Sequence, residues 1–178
     1  GTLSTANANI GVGGYTCAAL TTGDANTLVG VTAGSRIEDG GRNTCMGYEA
    51  GNQITSGDKN IVYGWAAGDN ITTGSGNVVI GKADVSSATG DDQLSISDGE
   101  DGSVVWITGD SSGNLTFPAD VTLGDDLHLD SDAAVLKFGD DGEITLTHDA
   151  DVGLKLKHTA TADDKPIVLT LQTGETDM

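Results

Sequence analysis

The sequence predicts an all-β protein. A parallel β-roll, or β-solenoid, with seventeen-residue rungs is expected over residues 1–85, a junction over 86–93, and a shaft of short strands over 94–178. Three observations carry this expectation. Glycine makes up 27 of 178 residues, against 2 prolines and 4% aromatics. Asparagine recurs every seventeen residues through the first half. Short alternating apolar stretches, broken by Asp/Gly turns, fill the second half. Scarce large apolar side chains and abundant glycine suit short strands and turns rather than packed helices.

The repeat is kept by several columns at once. Asn9, Asn26, Asn43, Asn60 and Asn77 define its phase. Four residues after each stands Gly13, Gly30, Gly47, Gly64 or Gly81. Six before each stands Leu3, Leu20, Ile37, Ile54 or Ile71. Gly23, Gly40, Gly57 and Gly74 share another phase, as do Ala33, Ala50 and Ala67. A strict period of this length signals a solenoid with one repeat per rung. Each rung is expected to hold a short strand such as "NTLVG" and a second around the Leu/Ile column. Glycine marks corners where a Cβ is excluded. Asparagine at a fixed corner bonds local backbone and tolerates left-handed conformations. Stacked in register, the asparagines are expected to form side-chain ladders. A helix is excluded, because its interior would lose about 1 kcal/mol at each glycine.

One rung offers three or four medium apolar side chains and an alanine, which is little for an independent core. Cys17 and Cys45 lie in different phases of the repeat and are read as free, buried thiols. Association of identical rolls around a shared axis is therefore expected, with three-fold closure favoured by the many small residues. A single-chain β-helix is the alternative.

The phrases "NTCMGYEAG" and "NIVYGWAAGDNITTGSGNVVIG" resemble the repeats of bacteriophage tail fibres. They are also similar to the head repeats of trimeric autotransporter adhesins, in which an Asn-x-x-x-Gly phrase recurs with a shorter period. The resemblance covers residues 1–85 and implies a trimeric parallel β-roll.

In the second half, strands are expected at "QLSIS", "SVVWIT", "NLTF", "DVTL", "DLHL", "AVLKF", "EITLTH", "GLKLKH" and "PIVLTLQ". Parity puts Ile144, Leu146 and His148 on one side of their strand. Such a short strand is expected to lack a partner layer within one chain, so three chains would wind into a triple β-helix or β-prism. The stretch "AVLKFGDDGEITLTHDADVGLKLKHT" looks like a segment of marine bacteriophage fibres. That resemblance implies a shaft leading to a more distal region.

Charge narrows the partners. Asp plus Glu outnumber Lys plus Arg by 27 to 8, for a formal net charge of −19. Such a surface opposes nucleic acid and anionic lipid. No apolar run approaches the roughly 20 residues that span a bilayer. The opening "GTLSTANANI" has no signal-peptide character, and without an initiator Met the chain is expected to be a segment of a longer protein.

No catalytic or cofactor-binding residue is assigned. His148 and His158 are the one candidate metal set, as a ring around a three-fold axis; the plainer reading has both capping an apolar row. His128, between Leu127 and Leu129, is expected to point outward. The acids Asp91, Asp92, Asp98, Glu100, Asp101, Asp125, Asp126, Asp140, Asp141 and Glu143 fall in turns, and turn propensity accounts for them without glycan hydrolysis. Val31, Tyr48, Trp65 and Lys82 follow the repeat glycine and are read as outward, an aromatic stripe that could touch sugar; the plainer reading is scatter on a tolerant surface. Trp106 is expected to pack near the junction. The function expected is structural and non-enzymatic: a shaft segment of a trimeric virion tail fibre supporting host attachment. Its partners would be itself, other tail proteins and, through other regions, a host receptor. The alternatives are a bacterial cell-surface adhesin or filament, and a glycan-depolymerising spike.

Overall fold

The computed structural model describes residues 6–125, 127–130, 135–138, 144–149 and 152–158. The chain divides into two compact units, residues 1–121 and 122–178. Every regular element among the described residues is a strand.

The first unit is a β-solenoid. Strands β1 (Ile10–Val12), β2 (Thr27–Val29), β3 (Thr44–Met46), β4 (Ile61–Tyr63) and β5 (Val78–Ile80) stack in one parallel sheet. Their register steps by seventeen residues, as in Leu28↔Cys45, Cys45↔Val62 and Val62↔Val79. The seventeen-residue step ends after β5, but the coil does not. One further rung follows with a step of sixteen, pairing β5 with β6 (Leu94–Ser97) through Val78↔Leu94. The sheet then turns back. β7 (Val105–Gly109) pairs antiparallel with β6, and β8 (Leu115–Thr116) with β7.

Three side chains per rung fill the interior. The middle residue of the strand points inward because alternate strand residues face opposite sides. An alanine five residues on, and an isoleucine four beyond it, complete the set. Leu28, Ala33 and Ile37 are wholly buried, as are Cys45, Ala50 and Ile54, and Val62, Ala67 and Ile71. The interior is therefore closed by one chain's own side chains, and the expectation that a single copy could not fill it is corrected. Small rungs succeed because each stacks on identical neighbours; burying each Leu, Ile or Val contributes about 1.5–3 kcal/mol.

At the Leu/Ile column no second strand forms among the described residues. Successive turns, Ala33 N–H to Gly30 O, Ser35 N–H to Thr32 O and Ile37 N–H to Gly34 O, wrap the chain around the corner. Adjacent rungs there share the backbone bonds Glu38 N–H to Thr55 O and Thr55 N–H to Thr72 O. The Leu/Ile side chains thus reach the core from turns.

The first rung solves packing differently. In later rungs a glycine with φ near +57° (Gly34, Gly51, Gly68) leaves room for Leu28, Cys45 or Val62. In the first rung that glycine is Cys17, held at φ 56°, and the inward strand residue is Gly11. A Cβ on Gly11 would sit 3.0 Å from Cys17 Sγ. The large and small partners have exchanged places.

The second unit holds a three-stranded antiparallel sheet, β9 (Val135–Phe138), β10 (Ile144–Asp149) and β11 (Gly153–His158), with β10 central. The strands pair within one chain, through Leu146↔Leu136 and Leu146↔Leu156. The strands thus pair edge to edge in one chain, and the ten-residue step of Leu136, Leu146 and Leu156 is the spacing of antiparallel neighbours at the middle of the sheet. No strand forms at "DVTL" or "DLHL" among the described residues, and Leu123, Leu127, His128 and Leu129 are exposed there. "PIVLTLQ" lies outside the described residues, as do Asp126, Asp140, Asp141 and Glu143.

Candidate functional site

The asparagine column forms a buried ladder. Asn26, Asn43, Asn60 and Asn77 have no solvent exposure; Asn9, at the end, is half-buried. Each Oδ1 accepts the backbone N–H of the asparagine one rung on, at 2.8–3.0 Å. The Nδ2 of Asn9, Asn26, Asn43 and Asn60 donates to a glycine carbonyl fourteen residues ahead, as Asn43 does to Gly57 O at 2.8 Å and Asn60 to Gly74 O at 3.0 Å, and that of Asn77 to Gly90 O, thirteen ahead. Each amide from Asn9 to Asn60 thereby bonds two main-chain groups of the next rung, a glycine carbonyl and an asparagine N–H, so its burial is compensated.

Gln93 ends the ladder. Its backbone N–H and Nε2 both reach Asn77 Oδ1, at 2.9 and 3.1 Å. Its longer side chain also donates to Gly90 O and Ser87 O and accepts from Ser87 N–H. The longer side chain folds back onto its own rung, where each asparagine reaches forward to the next.

The left-handed residue is not the asparagine but the one before it: Ala8, Ala25, Arg42 and Lys59 have φ of 55–60°. Sequence reading placed this feature one residue late, because side-chain ladder and backbone corner sit side by side. The glycines behave as expected. Gly47 has φ 142°, and a Cβ there would run into the Gly64 carbonyl of the next rung. The same close approach holds for Gly13, Gly30 and Gly64, and Gly81 meets the Ser97 carbonyl instead.

The other side of the parallel sheet faces outward. Its first column is Ile10, Thr27, Thr44, Ile61 and Val78; its second is Val12, Val29, Met46, Tyr63 and Ile80. Ile61 is 49% exposed and Tyr63 58%. Beyond the glycine column come Val31, Tyr48 and Trp65, each about half exposed, so this stripe is outward as read. Lys82 Nζ sits 4.2 Å from the Trp65 ring centroid, a cation–π contact. With no side chain at Gly47 and Gly64, a groove of about 370 Å³ runs between Met46, Tyr63 and Trp65. The sequence hid this face because its residues share the repeat with true core positions, and only strand parity separates the two.

A smaller cleft of about 200 Å³ lies at the turned-back end, lined by Asp84, Gln93, Ser95, Thr108, Asp110 and Asn114. Asp110 is committed to its own turn, accepting Ser112 N–H, Asn114 N–H and Asn114 Nδ2. Asp98 caps the β6–β7 turn likewise. It accepts from Val104, Asp101, Gly102 and Glu100 N–H, which hold its carboxyl down at about 2. Both carboxylates serve turn geometry.

Trp106 is 55% exposed, which corrects its expected packing. Val105 and Ile107 take the more sheltered side of β7, so alternation turns Trp106 out. The thiols are free. Burial pushes Cys45 up to about 12, and Cys17 rises for the same reason. The backbone register sets His148 opposite Leu154 and His158 opposite Ile144. These positions are four pairs apart, about 13 Å along the strands, so one chain does not bring the two histidines together. Among the described residues no group of three His, Cys, Asp or Glu is placed to hold a metal, and no helix is long and apolar enough to cross a membrane. No protein-family model, curated protein or solved structure matches this chain.

Proposed function

We propose that the chain is a structural segment of a trimeric bacteriophage tail fibre that holds host-attachment regions away from the virion. The observation that supports this reading is the unbroken in-register ladder from Asn9 to Gln93. Each rung is bonded to the next through main chain and side chain, which makes a stiff rod. Five seventeen-residue rungs rise roughly 24 Å at about 4.8 Å per strand. In this role the partners are two further copies, other tail proteins, and a host receptor contacted elsewhere in the fibre. The second unit would supply the shaft, its three β9–β11 sheets gathered by association of the solenoids rather than associating on their own. The solenoid core needs no second copy, so trimerisation serves rigidity and assembly.

Chemical cross-linking of the 178-residue chain at about 1 mM tests the trimer, with three linked copies expected. Immunogold labelling with an antibody against the solenoid tests the setting. Gold on virion tails is expected. Gold on bacterial cell surfaces overturns the tail-fibre reading in favour of an adhesin or filament.

A further inference from the structure

We infer that the outward face of the parallel sheet is the surface that a second copy of this chain covers. The inference rests on the trimeric reading above and names the face that it would use.

Three observations converge on one occupant. The first is charge. The ten outward positions of β1–β5 carry no charged residue, while the chain has a formal net charge of −19. Asp24, Glu38, Asp39 and Asp58 lie elsewhere on the coil, and Glu49 follows Tyr48 in the adjoining stripe, where it bonds the phenol. Two copies repel each other over most orientations, and least where these neutral faces meet.

The second is relief. The glycine column leaves a groove beside the ridge formed by Val29, Met46 and Tyr63. Groove and ridge run in the same direction with the same rung spacing. A parallel copy therefore meets this one in register, its ridge facing a groove of matching pitch, rung after rung.

The third is the state of the aromatic ring. Lys82 sits over one face of Trp65 at 4.2 Å, so a sugar has only the opposite face of the indole to stack on. A protein ridge docking on Tyr63 and Met46 leaves that contact intact.

Area sets the strength. Five three-residue strands at about 4.8 Å spacing, each about 10 Å long, give roughly 240 Å² per copy. A standard stable interface buries about 800 Å² per partner. Association through this face alone is therefore weak, and it is seen only at high concentration.

Sedimentation equilibrium of the full 178-residue chain, from about 10 μM to about 1 mM, reads this directly. The expected result is a mass that climbs from one copy toward three. Ile61→Lys with Tyr63→Lys is expected to hold the mass at one copy throughout, with an unchanged urea midpoint. Asp39→Lys, away from the face, is expected to leave the climb in place. A three-copy species that survives the Ile61/Tyr63 substitutions overturns this inference and leaves the trimeric reading standing. A two-copy species abolished by those substitutions upholds the face and overturns the trimer. A chain that stays single at the highest concentration, with tryptophan emission shifting on addition of a neutral oligosaccharide, overturns both in favour of a glycan occupant.

Discussion

The side-chain oxygen of Asn60 receives the backbone N–H of Asn77 at 3.0 Å and its side-chain amide at 3.1 Å. One buried acceptor thus ties two rungs seventeen residues apart in the chain. Removing it strands the Asn77 N–H in the core and leaves Gly74 O without its amide. Leaving buried groups unpaired costs about 1–3 kcal/mol each. Asn60→Ala is expected to destabilise the chain by roughly 2–4 kcal/mol in urea unfolding. Asn9→Ala, at the half-buried end, should cost about 1 kcal/mol or less. Equal losses at the two sites would contradict a ladder whose strength lies in burial.

Gly11 and Cys17 should behave as a coupled pair. Gly11→Val drives a side chain toward Cys17 Sγ, and Cys17→Gly empties the space that the sulfur fills. Each single change is expected to cost about 1–3 kcal/mol. The double variant restores the arrangement of Val62 with Gly68 and should recover at least 1 kcal/mol of coupling. Simple additivity in a double-mutant cycle would show that the exchange is incidental.

Asp98 gives a pH signature. Its carboxyl is lowered to about 2 by backbone N–H donors, first that of Val104. The folded value lies below the unfolded one near 3.9. The turn's contribution is therefore present above the unfolded value and is lost as pH falls through about 2. Carboxyl NMR titration should place the Asp98 midpoint near 2, and Val104 amide exchange should accelerate in the same range. A midpoint near 4 would mean that the turn does not hold the carboxylate.

The thiols should separate kinetically. Cys45 is fully buried, and burial raises it to about 12. The reactive form is the thiolate. At pH 8 a disulfide reagent is expected to modify Cys17 first, and Cys45 only as fast as the solenoid opens. The folded Cys45 value lies above the unfolded one, so its stabilising effect is complete below about 8.5 and is lost as pH rises toward 12. Equal labelling rates in the native chain would contradict the closed interior.

Much of the solenoid was legible because its physics repeats. The columns at Asn26, Gly30, Ala33 and Ile37 each recur with the same step, and each proved to be one structural position. The sequence could not show which apolar column faces in. Leu28 and Val29 are neighbours of similar chemistry, and only strand parity puts one inside and the other out. The sixteen-residue rung was missed because Gln93 replaces asparagine just where the step changes. In the second unit the ten-residue period was visible, but its cause was not. Leu136, Leu146 and Leu156 would be spaced the same way in a three-chain winding and in a hairpin meander.

Each rung bonds only to the rungs before and after it, and Gln93 closes the series from one side. A replication slip that adds or removes one repeat's worth of codons between Asn26 and Asn77 keeps the reading frame. It also leaves the terminal turn-back unchanged and alters the rod by a single strand spacing, about 4.8 Å. The gene is thus a ruler graduated in codons, on which reach is adjusted in steps without refitting either end.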